Sequence, residues 1–283
     1  MKYKAQTLFL SHGGGPLPLL GDASHQEMID CLQTITTKIN KPSVIILISA
    51  HWEENIPTIT SGLSPNLIYD YYGFPEESYN IKYPCLGKPL LAKQIQTALE
   101  NAGIEAKLDE QRGFDHGVFV PLKIMFPEAD IPCIQLSLVK SLSASEHLNI
   151  GKALRSLDVE NLLVIGSGFT FHNMKAFFAS ETIETNAMNE AFESWLIKTC
   201  SSDEITESER AQRLIDWEKA PYARYCHPRE EHLLPLHVCY GFAQAPCSEY
   251  FELSILNKKT SMYLWTAECA SLKQDSSRSR RAS

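Results

Sequence analysis

The sequence predicts a single-domain α/β protein with a mixed, mostly parallel central sheet and helices on both faces. Short apolar runs rich in Ile, Val and Leu recur along the chain, and amphipathic stretches lie between them. Such runs are typical of strands buried on both faces, and their alternation with helices indicates a sheet between helical layers. No segment between residues 5 and 268 resembles an interdomain linker.

The predicted elements follow one another in strand-then-helix order. Four apolar runs predict buried strands at residues 7–10, 44–49, 131–138 and 162–165. Hydrophobic residues at three-to-four spacing predict helices over 89–102 and 187–199. Near the end of the chain, strand-like runs at 251–256 and 260–265 flank a short loop at 257–259 and predict a hairpin at one edge of the sheet.

The composition limits the partners and the compartment. The 283 residues carry 26 Lys and Arg against 34 Asp and Glu, a net charge of −8. Because nucleic acids and anionic membranes attract a basic face, neither is predicted as a partner. Eight scattered cysteines without a C-x-x-C pair, and no signal-peptide or membrane-spanning run, favour reduced, mostly buried thiols in a cytoplasmic protein.

The chain is predicted to divide into a folded part and a tail. Residues 1–270 are expected to form one catalytic domain, a size that a large α/β domain accommodates. From Lys273 to Ser283 the chain has no large apolar residue. It therefore cannot bury enough surface to offset its ordering entropy, and residues 271–283 are predicted to be a disordered basic tail.

Histidines carry the functional signal. Three of the nine lie just past predicted strands: His12 follows 7–10, His51 follows 44–49, and His172 follows 162–165 through a glycine-containing segment. Ligands of open α/β sheets bind outside the carboxyl ends of the strands, so these side chains are predicted to converge at one rim. Converging imidazoles are typical of a metal site.

Two more histidines are candidates for the same site. His116 lies within Gly-Phe-Asp-His-Gly and His232 within Glu-Glu-His-Leu-Leu-Pro-Leu. A glycine beside a histidine lets the backbone approach a ligand closely. His25, His147 and His237 are instead interpreted as structural.

Two other kinds of site fit the residues less well. The glycine triplet at 13–15 is followed by Pro16 and Pro18, which argues against a phosphate-binding loop. The run His-Gly-Gly-Gly is similar to the oxyanion loop of some α/β-hydrolases, but the chain has no Gly-x-Ser-x-Gly motif, and Ser167 is one residue out of that pattern. A serine hydrolase is therefore not favoured.

Five motifs in this order resemble one enzyme family. They are Ser-His-Gly-Gly at 11–14, Ser-Ala-His-Trp at 49–52, Gly-Phe-Asp-His-Gly at 113–117, Gly-Ser-Gly through His-Asn at 166–173, and Glu-His-Leu-Leu-Pro-Leu at 231–236. The resemblance also takes in Tyr-Asp-Tyr-Tyr-Gly-Phe-Pro at 69–75 with Tyr-Pro at 83–84, and it runs from about residue 6 to 268. This set of motifs resembles the class III (LigB-type) extradiol ring-cleavage dioxygenases, in the DOPA 4,5-dioxygenase-like branch, and implies a LigB-like α/β fold.

The resemblance implies a metal-dependent reaction. It implies that His12, His51 and His232 hold a divalent metal ion, with Fe(II) expected and Zn(II) as the alternative in the isolated protein. It also implies that His172 is the acid/base, close enough to act as a fourth ligand, and that His116 contacts the substrate. The implied partners are a small aromatic diol, a DOPA-like or related catechol, and O2.

Several roles stay open at this point. The aromatic segment with Tyr72 and Phe74 either flanks the substrate ring or packs beneath a loop. His227 is structural, in contact with substrate, or a competing ligand of the metal ion, and Arg224 and Arg229 either clamp a carboxylate or are solvated. The chain is expected to be a monomer or a homodimer.

Two alternative functions would use the same histidines. A zinc-dependent hydrolase would activate water with His172 as the base. A non-catalytic, Memo-like binding protein would recruit a partner through the pocket. The presence of both His116 and His172 argues against the binding protein, because a pure binder needs no proton-transfer groups.

Overall fold

The structure is a computed structural model that describes residues 5–266. Within these residues, eight strands form one sheet: β1 (Gln6–Ser11), β2 (Val44–Glu54), β3 (Thr58–Thr60), β4 (Lys107–Asp109), β5 (Cys133–Val139), β6 (Leu162–Gly168), β7 (Glu249–Ile255) and β8 (Lys258–Trp265). The strand order is β4-β3-β5-β2-β6-β1-β8-β7. The central strands β5-β2-β6-β1 are parallel, and antiparallel pairs flank them on both sides, so the predicted mixed sheet is confirmed.

Helices cover both faces of the sheet. The α-helices in the described residues are α1 (Gln26–Lys38), α2 (Pro89–Asn101), α3 (His116–Met125), α4 (Ala144–Leu154), α5 (Met174–Phe177), α6 (Ile183–Ser201), α7 (Glu207–Ile215), α8 (Ala223–Cys226) and α9 (Leu234–Ala243). Gly166 and Ser167 are neighbours in β6 and point to opposite faces. Gly166 lies against Pro235 of α9, whereas Ser167 Oγ donates to Gly117 O of α3 at 2.5 Å. These two helices therefore pack on opposite sides.

The core lies on both faces of the parallel strands. Their apolar side chains, such as Leu8, Ile46 and Val164, are fully buried. This double burial explains why the strands appear in the sequence as continuous apolar runs rather than as alternating patterns. Almost every residue of α3 and α9 is also buried, so both helices are held rigidly beside the strand ends.

Most predicted elements are found, but several ends differ. β2 and β6 continue to Glu54 and Gly168 because each still has a neighbouring strand with which to pair. α6 extends past 187–199 in both directions, since the Thr182 side chain caps its first turn. β3 and β4 were not predicted, because three-residue strands are too short to show a period.

The terminal hairpin turns earlier than predicted. Its turn residues are Leu256 and Asn257, with φ angles of 51° and 60°. Lys258 and Lys259, which were placed in the loop, belong to β8. Two-residue turns with left-handed φ match the twist of paired strands, and Asn tolerates this conformation, which explains the tighter connection.

Cysteines and termini complete the comparison with the sequence. The described cysteines are all unpaired, and all but Cys31 are buried, as predicted. Cys269 and the predicted tail at 271–283 lie outside the described residues. None of the helices between residues 5 and 266 combines the length and the apolar character that crossing a bilayer requires.

Candidate metal centre

The site lies at the rim where the parallel strands end. His12 directly follows β1, and its backbone N–H donates to Gly168 O at the end of β6, at 3.3 Å. His172 lies in the loop after β6, where its N–H donates to Cys226 O at 2.9 Å. Adjacent parallel strands thus bring two distant histidines to the same edge.

The glycine loop after His12 is held by His25. Gly14 N–H donates to His25 Nε2 at 2.9 Å, and His25 Nδ1 contacts Asp22 at 2.9 Å. Gly13 has a φ of +79°, and a Cβ there would lie 2.7 Å from the His25 ring. Only glycine fits this position, and the structural interpretation of His25 agrees with these contacts.

His51 lies inside β2 rather than after it. The register with β5 shifts between Ile48 and Glu53, so β2 carries extra residues at this point. Bulges of this kind re-aim side chains. His51 occupies the bulge and its Nε2 lies 3.0 Å from His12 Nε2.

His116 is the first residue of α3. Its backbone N–H donates to Asp70 Oδ1 at 3.0 Å, and its Nδ1 contacts the same oxygen at 2.8 Å. Asp115, fully buried just before the helix, accepts a hydrogen bond from Ser49 Oγ at 2.7 Å and another from Gln135. The start of α3 is therefore anchored to β2 and β5 as well as to Asp70.

His232 lies two residues before α9. Its carbonyl oxygen accepts the N–H of Phe169 at 3.0 Å. A Cβ on Gly168 would lie 2.1 Å from the same oxygen, so glycine is required for this close approach. The end of β6 and the start of α9 are thereby locked together.

The five candidate histidines form one cluster. The ring centres of His12, His51 and His232 are 4.8, 5.3 and 5.0 Å apart in the pairs 12–51, 12–232 and 51–232. His116 lies 3.9 Å from His51, and His172 stacks on His232 at 3.4 Å. Their donor atoms fall into two close groups, His12 with His51 and His116, and His172 with Glu231 and His232.

Most of these rings are oriented through Nδ1. Ser167 Oγ donates its proton to a backbone oxygen of α3, so it accepts one from His12 Nδ1 at 3.0 Å. Glu231 Oε1 accepts from the Nδ1 atoms of His172 and His232, at 3.1 and 3.0 Å. With the proton on Nδ1, each Nε2 keeps a free lone pair.

Burial keeps the ligand candidates neutral. It is the largest cause that lowers the pKa of His12 and His51 well below the usual value, and with neighbouring His172 it lowers the pKa of His232 to about 4. For Glu231, burial would raise the pKa, but hydrogen bonds from its histidines outweigh this effect and hold the pKa below its ordinary value. The cluster therefore combines neutral imidazoles with an ionised carboxylate behind them.

These donors fit a divalent transition metal. Neutral imidazole suits iron and zinc. The Nε2 atoms of His12 and His51 lie 3.0 Å apart. This distance equals the spacing of two nitrogens each about 2.1 Å from one ion at a right angle.

A cavity of about 410 Å³ opens beside the cluster. Besides the histidines and the loop at 13–15, its lining is mostly apolar and aromatic: Leu17, Tyr71, Phe74, Phe169, Met174, Phe177, Phe178 and Leu256. A space of this size accommodates a single aromatic ring with a substituent.

Two predicted contact residues lie away from this cavity. Tyr72 is 92% exposed, and its neighbour Tyr71 lines the cavity instead. His227 is fully buried outside the lining; its Nε2 contacts Thr170 O at 2.7 Å and its ring packs against Trp217. Neither residue lines the cavity, so the structure gives no support to the predicted substrate contacts.

The two arginines considered as a carboxylate clamp pair with glutamates outside the cavity. Arg224 donates to Glu218 and Glu230, both at 2.7 Å. Arg229 donates to both carboxylate oxygens of Glu53 at 2.6 Å. Neither arginine lines the cavity, so the clamp interpretation is not supported.

Sequence reasoning missed the residues behind the histidines. Ser167 was considered only as a nucleophile, yet it is buried and orients His12. Asp70 and Glu231 stood inside recognised motifs without an assigned role. The available signal was a carboxylate adjacent to His232, since metal-binding histidines commonly donate their second ring N–H to a carboxylate.

A family comparison decides the kind of protein. The family described as "Catalytic LigB subunit of aromatic ring-opening dioxygenase" matches residues 6–264. The chain belongs to the LigB family. The predicted extradiol dioxygenase identity is thereby confirmed, and the LigB membership favours it over the zinc hydrolase and the Memo-like binding protein.

Individual relatives support the same branch. "Dioxygenase tasH" of Hapsidospora irregularis is 41% identical over 256 residues, covering 84% of this chain and 78% of the relative. The "4,5-DOPA dioxygenase extradiol" of Portulaca grandiflora is 41% identical over 213 residues, 71% of this chain and 73% of that protein. The LigB chain also shares its fold with an uncharacterised Escherichia coli K12 protein of known crystal structure, with a TM-score of 0.71, 24% identity, and coverage of 93% and 100%.

Proposed function

We propose that this LigB protein cleaves the ring of a catechol with O2 at a non-haem Fe(II) ion held by His12, His51 and His232. The convergence of their rings carries the proposal. Two imidazoles that share an ion at about 2.1 Å have ring centres roughly 4.6–5.3 Å apart for angles from right-angled to tetrahedral. The separations of 4.8, 5.0 and 5.3 Å fall in this range, whereas 3.9 Å between His51 and His116 is too short.

The proposed reaction needs no external reductant. When bound, the metal ion would supply a common binding place for the two catechol oxygens and for dioxygen. Both oxygen atoms enter the product, because the ring carbon–carbon bond beside the diol breaks and its carbons become an aldehyde and a carboxylic acid. The protein must remove protons from the catechol and return them during ring opening.

His172 is proposed as the group that moves these protons. Its Nδ1–H is held by Glu231 at 3.1 Å, which leaves Nε2 free to accept a proton from a catechol hydroxyl. The resulting cation would be stabilised by the Glu231 carboxylate. His172 also stacks on His232 at 3.4 Å, which places it beside a proposed ligand.

His116 and the nearby aromatic residues are proposed to position the substrate. Asp70 holds His116 Nδ1 at 2.8 Å, so Nε2 is available to a substrate oxygen. Tyr71 and Phe74 pack edge to face, with ring centres 5.5 Å apart, on the cavity wall. A catechol ring would contact this wall while its oxygens face the histidines. We further propose that the protein acts in the cytoplasm, as a monomer or homodimer.

Anaerobic loading with Fe(II), followed by oxygen-electrode assays on catechols, tests the proposal. We expect one O2 consumed per catechol, with both atoms of ¹⁸O2 recovered in the product. His51→Ala should lose bound iron and turnover, whereas His172→Gln should keep iron and lose turnover. His147→Gln is the matched control, because His147 is buried away from the cavity and its ring nitrogens bond to the backbone of Ser143 and Val139.

Three results would reject parts of the proposal. Catechol binding without O2 uptake in the Fe(II) protein would support a binding protein. Higher activity on ester or amide substrates with Zn(II) would support the hydrolase. Full iron content in His51→Ala, or full turnover in His172→Gln, would show that the roles are wrongly assigned.

A further inference from the structure

The cavity has two chemically different ends. Its inner end carries the five histidines, where the diol of a catechol would bind. Its outer part is formed by apolar side chains, including Leu17, Met174, Phe178 and Leu256. A ring substituent must point toward this outer part, because the diol end is directed to the histidines.

The cavity offers no charged side chain as a partner for that ring substituent. Among the described lining residues, none is Asp, Glu, Lys or Arg. Ser24 and Asn257 are neutral, and Ser24 Oγ is already bound to Asp22. A charged ammonium or carboxylate entering this part of the cavity would lose hydration without gaining a partner, which is unfavourable.

Two charged residues next to the lining, Glu231 and Lys258, are already paired. Glu231 is bound by its two histidines. Lys258, which follows the turn residue Asn257, is 4% exposed and pairs with Glu181 at 3.0 Å. Neither is free to recognise the amino or carboxyl group of an amino-acid side chain.

The mouth also presents apolar side chains to solvent. Phe178 is 85% exposed and Met174 is 55% exposed, although both line the cavity. They come from α5 and its end, just after the loop with His172. On the hairpin side, the β7–β8 turn supplies Leu256, because antiparallel β8 begins at the rim where parallel β1 ends. An apolar substituent would cover these side chains and gain from leaving water.

We infer that the preferred substrate is a catechol with an extended apolar ring substituent, rather than one with a charged amino-acid side chain. This inference rests on the proposed function, since it assumes that the diol binds at the histidines. It assigns the specificity to Leu17, Met174, Phe178 and Leu256, which contact the substituent and not the reacting atoms.

The test compares 4-hexylcatechol, unsubstituted catechol and L-DOPA. With the Fe(II) protein in air, we expect kcat/KM for 4-hexylcatechol to exceed that for L-DOPA by at least about tenfold. With the Zn(II) protein without O2, calorimetry should show the same order of affinities. This second measurement reports on the substituent even when no ring is cleaved.

Charge introduction sharpens the test. Leu256→Arg should lower the preference for 4-hexylcatechol and raise kcat/KM for 3-(3,4-dihydroxyphenyl)propionate by about tenfold, because it supplies a carboxylate partner. Leu90→Arg is the matched control: Leu90 is an exposed leucine of α2 outside the lining, and its replacement should change neither value.

The possible failures are distinguishable. If L-DOPA is cleaved as well as or better than 4-hexylcatechol, the inference is overturned while ring cleavage stands. If catechols bind in the expected order but none is cleaved, the proposed reaction fails and the apolar subsite stands. If no catechol binds to either metal form, both are rejected.

Discussion

The nine histidines form two groups that burial does not separate. The rim group is His12, His51, His116, His172 and His232, and the core group is His25, His147, His227 and His237. His12 and His237 are both buried, and burial lowers the pKa of both, that of His237 to about 4. Neither burial nor the direction of the pKa shift therefore identifies the site.

The groups differ in what their ring nitrogens contact. His237 contacts Leu233 O through Nδ1 at 3.2 Å and Leu214 O through Nε2 at 2.8 Å. His12, in contrast, is held through Nδ1 by Ser167 and presents Nε2 to another histidine. His227 also has one ring nitrogen, Nδ1, without a hydrogen-bond partner, but its ring packs against Phe192 and Trp217. The metal centre is therefore marked by a held ring nitrogen together with a second that faces other histidines.

The most direct test of this division compares alanine variants of His232 and His237, one from each group. His232→Ala should lose the bound metal and lower kcat/KM about a thousandfold or more, because it removes a ligand. His237→Ala should keep the metal but lower the free energy of unfolding by about 2–4 kcal/mol, because it empties a buried, hydrogen-bonded position. Metal analysis and denaturant titration measure both effects. Loss of metal in His237→Ala, with the fold intact, would contradict the division.

Two carboxylates, Glu231 at the rim and Glu193 in the core, also differ in their partners. The pH dependence of stability tests this difference. Rim Glu231 has histidine donors, whereas Glu193 is buried among hydroxyl groups of Thr170 and Ser261. Burial raises the pKa of Glu193 to about 7 from its model-peptide value near 4.5. Because the folded state holds this proton more tightly, stability is greatest below the unfolded pKa and falls as the pH rises through 7, by about 3 kcal/mol in total.

Glu193→Gln removes this pH dependence. Gln resembles the neutral acid, so relative to wild type the variant should gain about 3 kcal/mol between pH 4 and pH 8. Denaturant titration at several pH values measures the difference. Glu190→Gln, an exposed position on the same helix, is the control. Parallel pH curves for wild type and Glu193→Gln would show that Glu193 ionises normally.

A smaller effect tests the carboxylate behind the rim. Glu231→Gln should lower kcat/KM about 10- to 100-fold, because the amide carries no negative charge to stabilise the His172 cation. The pH profile of kcat should shift as well, which loss of packing alone would not cause. Glu230→Gln, one residue earlier, controls for the local charge. Unchanged kinetics in Glu231→Gln would remove the positioning role.

The smallest expected effect concerns the ion pairs outside the cavity. Arg224→Ala should change the free energy of unfolding by less than about 1 kcal/mol, because its pairs with Glu218 and Glu230 are solvent-screened. The KM for L-DOPA should stay the same, since Arg224 does not line the cavity. A severalfold increase in that KM would restore the carboxylate clamp.

The local hydrophobic pattern of the sequence was sufficient to predict the main strands and two of the helices. The buried parallel strands were found because each is a continuous apolar run, and α2 and α6 because their apolar residues recur at helical spacing. Pattern was insufficient where structure depends on pairing. The bulge that turns His51 toward His12 exists only in register with β5, and the left-handed turn at Leu256 and Asn257 only in register between β7 and β8.

The sequence by itself determined the α/β class, the five rim histidines as candidates, and the resemblance to LigB dioxygenases, because these are properties of residue type, order and spacing. The tertiary structure decided which nitrogen of each ring is free, that Ser167, Asp70 and Glu231 hold the other, and that Tyr71 rather than Tyr72 faces the cavity. These features depend on distances between residues far apart in the chain. Such distances arise only when strands pair and helices pack, so no local pattern records them.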